Sequence, residues 1–473
     1  MSNDLPYDIN NPRSIESYAK LLVDKTLKQV LGDSIKQTYS GKGKLGQILE
    51  DLYFKYKPNS NSEPDFKEAG VELKTSPIKK IGRGWSSKER LVLNIINYKE
   101  EYKQTFSTSS FWKKNQLILL MFYLFEQDKI DLDYIFKIIR LWQFPSTDLK
   151  IIKDDWEKIV TKIKEGKAHE ISEGDTLYLG ACTKGANNKS LRQQPFSEVL
   201  AMQRAFSIKS KYLNFIIESS LSNKAIKIDY DEYEKILNDN NELNESRARY
   251  IRLNLDDLEP IVKSIHDYSK GETFEALVLN KFIRFYGYTD EQLLIEFNLK
   301  STTAKNKYHL ISKAILGIQK GKIEEFEKAG VIMKTIRIES SGALKESMSF
   351  AQIQFKEIIN ELWEDSYWYE TLTKRFFFVI YQKDKKGNLR LKKAMFWTMP
   401  LNDLSIAKLF WEDTKNKIIN DQYDRFIKIS DNQICHVRPK GIDSSDLMET
   451  PSGRMEKKKC YWLNSSYIKQ IIQ

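Results

Sequence analysis

The feature that most constrains this chain is a phrase written twice. Residues 65–75 read DFKEAGVELKT, and residues 325–335 read EFEKAGVIMKT, an offset of 260. The Phe, the Ala-Gly-Val run and the Lys-Thr pair recur in place, and Asp65 is answered by Glu325. Four further echoes follow in the same order. SKERLVLNIINYKE (87–100) faces LKESMSFAQIQFKE (344–357), and LILLMFY (117–123) faces RFFFVIY (375–381). CTKGANNKS (182–190) faces RPKGIDSSD (438–446), and AFSIKSKYLNFII (205–217) faces CYWLNSSYIKQII (460–472). The offsets stay between 255 and 260, so insertions are small. A chain of 473 residues is too long for one ordinary core. Five collinear echoes make it a module duplicated in tandem.

Each copy opens with helical spacing, in SIESYAKLLVDKTLKQVL (14–31) and TFEALVLNKFIRFYG (273–287). Short strands such as GVELKT and LILLMFY follow, and each copy closes on a helix rich in Tyr, Ile and Lys. The Asn-, Asp- and Glu-rich stretch 229–260 reads as a solvated, partly helical connector. The expected division is therefore 1–220, a connector at 221–264, and 265–473. The formal net charge of +11 points to a polyanionic partner. Three scattered cysteines exclude a disulfide framework, and four widely spaced histidines exclude a His-rich metal site. The polar N-terminus and a longest apolar run of nine residues, 117–125, predict a soluble, cytoplasmic protein without a membrane partner.

The first copy carries the chemistry. In a strand at GVELKT, alternate side chains share a face, so Glu72 and Lys74 project together while Val71, Leu73 and Thr75 face the other way. Gly70 permits a tight turn that brings Asp65 back beside Glu72. Two carboxylates and a strand carbonyl then line an oxygen site suited to Mg²⁺, which keeps waters for a substrate phosphate. Lys74 beside it would hold or deprotonate the attacking water and offset charge on the phosphate. Acid-x-Lys strings alone are common on solvated edge strands. Two additions strengthen the chemical reading: Glu50 on the amphipathic pattern GKLGQILEDLYFKY (43–56), and the lysine pair Lys113 and Lys114 at the entrance to the next strand.

GKLGQILEDLYFKYKPNSNSEPDFKEAGVELKTSP resembles the active-site segment of the MutH mismatch-repair endonuclease family. It is closer to the GATC-cutting type II restriction endonucleases of the Sau-three-A type. SSKERLVLNIINY, GKAHEISEGDTLYLGACTKGAN and the two-module plan resemble that second group, over nearly the whole chain. The resemblance implies an α/β (mixed α+β) fold, with two tandem restriction-endonuclease-like modules, each a mixed sheet flanked by helices. It implies that Asp65 and Glu72 are the metal-binding acids and Lys74 the catalytic lysine. Glu50 matches an accessory acid. Lys114 best matches a further active-site lysine, with Lys113 one register away. Mg²⁺ is the expected cofactor, double-stranded DNA the substrate, and a cognate methyltransferase the genetic partner.

The segment 177–193 is expected to start as a strand and run into a Gly/Asn/Lys-rich loop. Lys184, Asn187 and Arg192 are its candidates for phosphate and base-edge contact. Arg204 and Lys209, on the basic stretch leading into the last helix, are further phosphate candidates. The MutH branch has an arginine where this chain has Cys182, and a tyrosine where it has Ser207. The second copy carries Arg438 with Lys440.

In the second copy Ile332 replaces Glu72, Lys313 falls near the place of Glu50, and Lys334 survives. Isoleucine binds no metal, so the second module is expected to be catalytically silent yet to grip DNA. The resemblance implies that it holds a second GATC as an allosteric effector. One active site per chain must either pair with another molecule, as a DNA-induced dimer, or nick twice. The competing readings are a non-cleaving DNA-binding regulator and a mismatch-repair nickase.

Overall fold

A computed structural model describes residues 5–32, 44–56, 63–82, 84–184, 190–222, 228–238, 248–249, 258–300, 306–344, 347–441 and 446–473. The chain divides into two compact units. The first comprises Met1–Phe274 with Lys320–Gly330, the second Glu275–Gln319 with Val331–Gln473.

The first unit opens with helix α1 (Pro12–Ala19), and α2 (Leu27–Leu31) follows after a break. Residues 14–31 carry helical spacing throughout, yet the helix is interrupted. Asp24 takes φ 62° and Thr26 caps the second helix with a reciprocal Gln29 bond, so a local cap outcompetes periodicity. Helix α3 (Lys44–Ile48) runs into a wider turn at Leu49–Tyr53, where Phe54 N donates to Leu49 O at 2.8 Å. Such i→i+5 turns occur often at functional sites.

Strand β1 (Glu72–Ile81) lies between β2 (Gly84–Ser87) and β4 (Ile118–Leu124), with β5 (Ile135–Trp142) beyond β4. β1 and β4 are parallel, with Glu72 opposite Ile118, while β4 and β5 are antiparallel. The apolar run 118–122 is fully buried because β4 is a central strand covered on both faces. A second sheet has β9 (Arg204–Ile208) between β3 (Leu91–Ile95) and β6 (Leu179–Thr183). A hairpin pairs β7 (Leu191–Gln194) with β8 (Ser197–Met202). Between the sheets in sequence come the short helix α4 (Ser110–Asn115) and the long α5 (Ser146–Lys164); α6 (Ser210–Leu221) closes this part. Helix α7 (Glu324–Ala329) comes from far along the chain and belongs to this unit.

The second unit repeats the design. Strand β10 (Ile332–Ile338) runs parallel to β12 (Phe376–Lys383), with Ile332 opposite Phe376, and β13 (Leu389–Trp397) pairs β12 antiparallel. Its second sheet sets β17 (Lys459–Leu463) between β11 (Met348–Gln352) and β14 (Cys435–Pro439), beside a hairpin of β15 (Leu447–Glu449) and β16 (Met455–Lys457). Helix α8 (Tyr367–Leu372) answers α4, and α9 (Leu401–Ile419) answers α5 at the same length of 19 residues. Even the irregularities recur. The register slips at Phe122/Tyr123 and at Ile380/Tyr381, and again at Val92/Ile95 and at Ser349/Gln352. Bulges are designed features of a fold, so their repetition shows the duplication in three dimensions.

Among the described residues no helix is long and apolar enough to cross a membrane. Cys182, Cys435 and Cys460 are buried free thiols.

Candidate active site

The alternation along β1 sets the site. Val71 and Leu73 are buried in the apolar cluster with Leu45, Ile48 and Leu49 of the helix ahead. That packing turns Glu72 and Lys74 to the opposite face. Glu72 is completely buried and Asp65 nearly so, at 7% exposure. Asp65 is brought back by a turn in which Phe66 pairs with Val71 and Gly70 takes φ 66°, a conformation open to glycine. The two acids are then cross-tied. Asp65 N donates to Glu72 Oε2 at 3.2 Å, and Leu73 N donates to Asp65 Oδ2 at 2.9 Å. Lys74 Nζ bonds Glu72 Oε1 directly, and Lys114 Nζ stands 3.5 Å from the same oxygen.

The resemblance favours Lys114 over Lys113, one register away, at the entrance to the next strand. The structure puts both on α4, a short helix capped by Ser109. Lys113 is exposed, whereas Lys114 turns inward to Glu72. Glu50 belongs to the same field. Burial first, then the charge of Asp65, raises its carboxyl to about 7, against the pull of Lys74 and Lys114. Burial likewise raises Glu72 to about 7, with Lys74 and Lys114 opposing and Asp65 adding to the rise. Two buried carboxyls raised in this way beside two ammonium groups make the cluster the candidate functional site.

The donor set fits a hard divalent cation. It offers carboxylate oxygens and no sulfur or imidazole, and Asp65 Oδ1 is left by the hydrogen bonds described. Among the described residues no three Asp, Glu, His or Cys side chains form a ready metal cage.

The expected nucleic-acid contacts separate into two groups. Lys184 and Arg192 are exposed, Arg192 on the β7 hairpin. Asn187 lies outside the described residues. Arg204 and Lys209, both half-buried, spend hydrogen bonds on carbonyls of their own fold. Arg204 Nη1 donates to Ala181 O at 2.7 Å. Lys209 Nζ donates to the carbonyls of Glu173 and Thr176 at 2.6 and 2.5 Å, with its side chain only 13% exposed. A basic stretch in sequence cannot show which lysines the fold needs for itself.

The second unit keeps the frame with other side chains at the matching places. Ile332 stands at the register of Glu72. Counted from the capping serines, Ser109 and Ser366, Thr371 takes the place of Lys114. Glu325, the counterpart of Asp65 in sequence, sits on α7 in the first unit and accepts from the N–H groups of Ile261 and Val262 at 2.9 Å each. Arg438 and Lys440 are exposed. Both lie over Trp462, at 4.7 and 5.5 Å from its ring centre. Trp462 occupies on β17 the position of Ser207 on β9, since it pairs His436 as Ser207 pairs Gly180. The sequence reading passed over Trp462. Its signal was the aromatic facing the arginine strand at the place where the first copy has only a serine.

Residues 54–155 match the family model described as DNA mismatch repair enzyme MutH. The chain is 34% identical over 517 residues to the type II restriction enzyme Sau3AI of Staphylococcus aureus, covering 98% of each. It is 30% identical over 153 residues to the DNA mismatch repair protein MutH of Shewanella woodyi, covering 32% of this chain and 64% of that one. The MutH of Shewanella baltica strain OS185 is 27% identical over 179 residues, covering 37% and 78% respectively.

Proposed function

The chain belongs to the MutH-like family of type II restriction endonucleases typified by Sau3AI, and we propose that it cuts both strands of DNA at GATC with Mg²⁺ as cofactor. In this reading cleavage resides in residues 1–220, while 265–473, joined through 221–264, bind a second copy of the site as an effector. The observation that carries it is the convergence of Asp65, Glu72, Lys74, Lys114 and Glu50 in one half, set against Ile332 and Thr371 in the other.

The residues divide the work. Asp65 and Glu72 would hold the ion, which when bound polarises a phosphate oxygen and acidifies water. The Asp65 N–H and Leu73 N–H bonds fix the two carboxylates before substrate arrives, so little reorganisation is left for the reaction. Lys74 stands where it can orient water and face the phosphate, and Lys114 adds a second cation against developing negative charge. Glu50, near neutrality, is suited to take up and release the proton of the attacking water. Lys184 and Arg192 offer exposed charge to the DNA backbone. Such a cutter implies a cognate methyltransferase to protect the host's own sites. Cutting both strands with one site per chain implies a DNA-induced dimer or two successive nicks.

Digestion of plasmids carrying one or two GATC sites tests the whole reading. Linear product with Mg²⁺, none after EDTA, ends mapping to GATC, and faster cutting of the two-site plasmid are expected. Ends elsewhere would overturn the specificity, and equal rates on both plasmids would remove the effector role.

The raised carboxyls give a pH dependence. Glu50 and Glu72 titrate near 7 in the metal-free fold and near 4.5 when unfolded. The fold therefore holds protons that the unfolded chain gives up, and this contribution to stability is present below 4.5 and lost as pH rises to about 7. A cation must displace those protons. Mg²⁺ affinity should rise with pH up to about 7, by up to about tenfold per pH unit for each proton displaced, and level off above. The Mg²⁺-induced rise in Tm should be larger at pH 8 than at pH 6. Calorimetric affinities that stay flat between those values would show that these carboxyls do not meet the ion.

A further inference from the structure

The second unit has kept the lysine of the lost active site without its partner acid. Lys74 in the first unit is bonded to buried Glu72. Its counterpart Lys334 is half-buried on β10, and no carboxylate among the described residues pairs with it. Its ammonium reaches only Ser349 O at 3.4 Å and lies 5.1 Å from the Phe350 ring centre. Lys440 Nζ donates to Ser349 Oγ at 2.6 Å, so the two ammonium groups flank one residue. Arg438 and Lys440 share the Trp462 ring. Gln352 Nε2 donates to Lys440 O at 3.3 Å and ties the β14 end to β11.

Three cations around Ser349 and Trp462 repel one another, and a half-buried one also forgoes hydration. Burial and Lys440 both push Lys334 below the usual lysine range. A fold tolerates such a cluster when an anion completes it. The first unit supplies the anion from within, as Glu72. The second has isoleucine there, and among the described residues no carboxylate stands in for it, which leaves the place open to a counter-charge from outside.

We propose that Lys334, Lys440 and Arg438 seat one phosphodiester of a bound duplex in the second unit, the former catalytic lysine serving as a phosphate anchor. Trp462 holds the arginine and Lys440 in place by cation–π contact. The seat needs no metal, since these cations can meet the phosphate charge directly. This proposal rests on the reading of the second unit as DNA-binding.

The test uses the full chain in EDTA, with short GATC duplexes counted by native mass spectrometry and fluorescence anisotropy. Two duplexes per wild-type chain are expected. Lys334→Met should weaken the second by about tenfold and reduce its salt slope by about one. Binding of the first duplex should not change. Lys334→Arg should restore most of the lost affinity. Lys334→Met removes a half-buried charge without a carboxylate partner among the described residues, so its melting temperature without DNA should match or exceed that of the wild type, which separates lost binding from lost folding. Only one duplex on the wild type would overturn the DNA-binding reading of this unit. Two duplexes bound by Lys334→Met with wild-type affinity would overturn the phosphate seat alone. Competition for the second duplex by micromolar inorganic phosphate would make the free anion the occupant and would overturn the duplex as its ligand.

Discussion

Glu72→Gln should lower DNA cleavage by about 10³-fold or more while leaving DNA binding intact. Glu72 is completely buried, and one oxygen accepts from Asp65 N while the other faces Lys74 and Lys114. The amide keeps the volume but removes the charge that would hold a cation and balance two lysines. Losing one preorganised electrostatic partner in a reaction centre costs about 10²–10³, and groups acting as a unit cost more. Lys74→Met should have an effect of similar size. Binding measured without metal should hold or tighten for Glu72→Gln, because a negative charge no longer faces the DNA phosphates. Single-turnover cleavage reads the first quantity and anisotropy the second. Wild-type cleavage by either variant would sink the assignment. The reverse change, Ile332→Glu, should create no second cutting site. Thr371 stands where Lys114 is needed, and the Glu325 carboxylate is held by Ile261 N and Val262 N.

Some of this site was written in the sequence and some was not, for physical reasons. Strand alternation has a period of two, so Glu72 and Lys74 could be set on one face against Val71 and Leu73 from the letters alone. The glycine turn was equally plain, since Gly70 and its counterpart Gly330 both take the positive φ that favours glycine, 66° and 67°. Long-range facts were not legible. Lys113 and Lys114 are neighbours in sequence, and only the axis of α4 decides that Lys114 faces Glu72. Lys209 looked like a phosphate contact because charge in sequence carries no record of burial; the carbonyls of Glu173 and Thr176 claim it. The echo of Asp65 in Glu325 was real as sequence and misleading as geometry. Residues 65–70 form a turn, whereas Glu324–Ala329 form a helix whose partners lie in the first unit.

That helix carries the second large effect. Lys328 Nζ lies 2.9 Å from both oxygens of Asp148, 2.6 Å from Glu324 Oε1 and 4.0 Å from the Phe215 ring centre. Lys328 and Asp148 are 3% and 2% exposed, so water screens neither charge. Burying such a pair is no great gain in itself, but removing one member leaves the other uncompensated at a cost of about 3–5 kcal/mol. Lys328→Met should therefore destabilise the first unit by about that amount, leaving Asp148 with the Tyr212 hydroxyl at 2.8 Å as its remaining side-chain partner. The deficit should grow with pH, because the abandoned carboxyl, which burial already pushes upward, then folds best protonated. Adding Asp148→Asn to Lys328→Met should recover most of the loss, since a neutral pair needs no counter-charge. Urea melts of the two single variants and the double variant complete the cycle. If Lys328→Met melts like the wild type, the ion pair does not anchor α7. A large loss recovered in the double variant would show that a segment written in the second copy of the repeat has become part of the core of the first, directly ahead of the strand that carries Lys334.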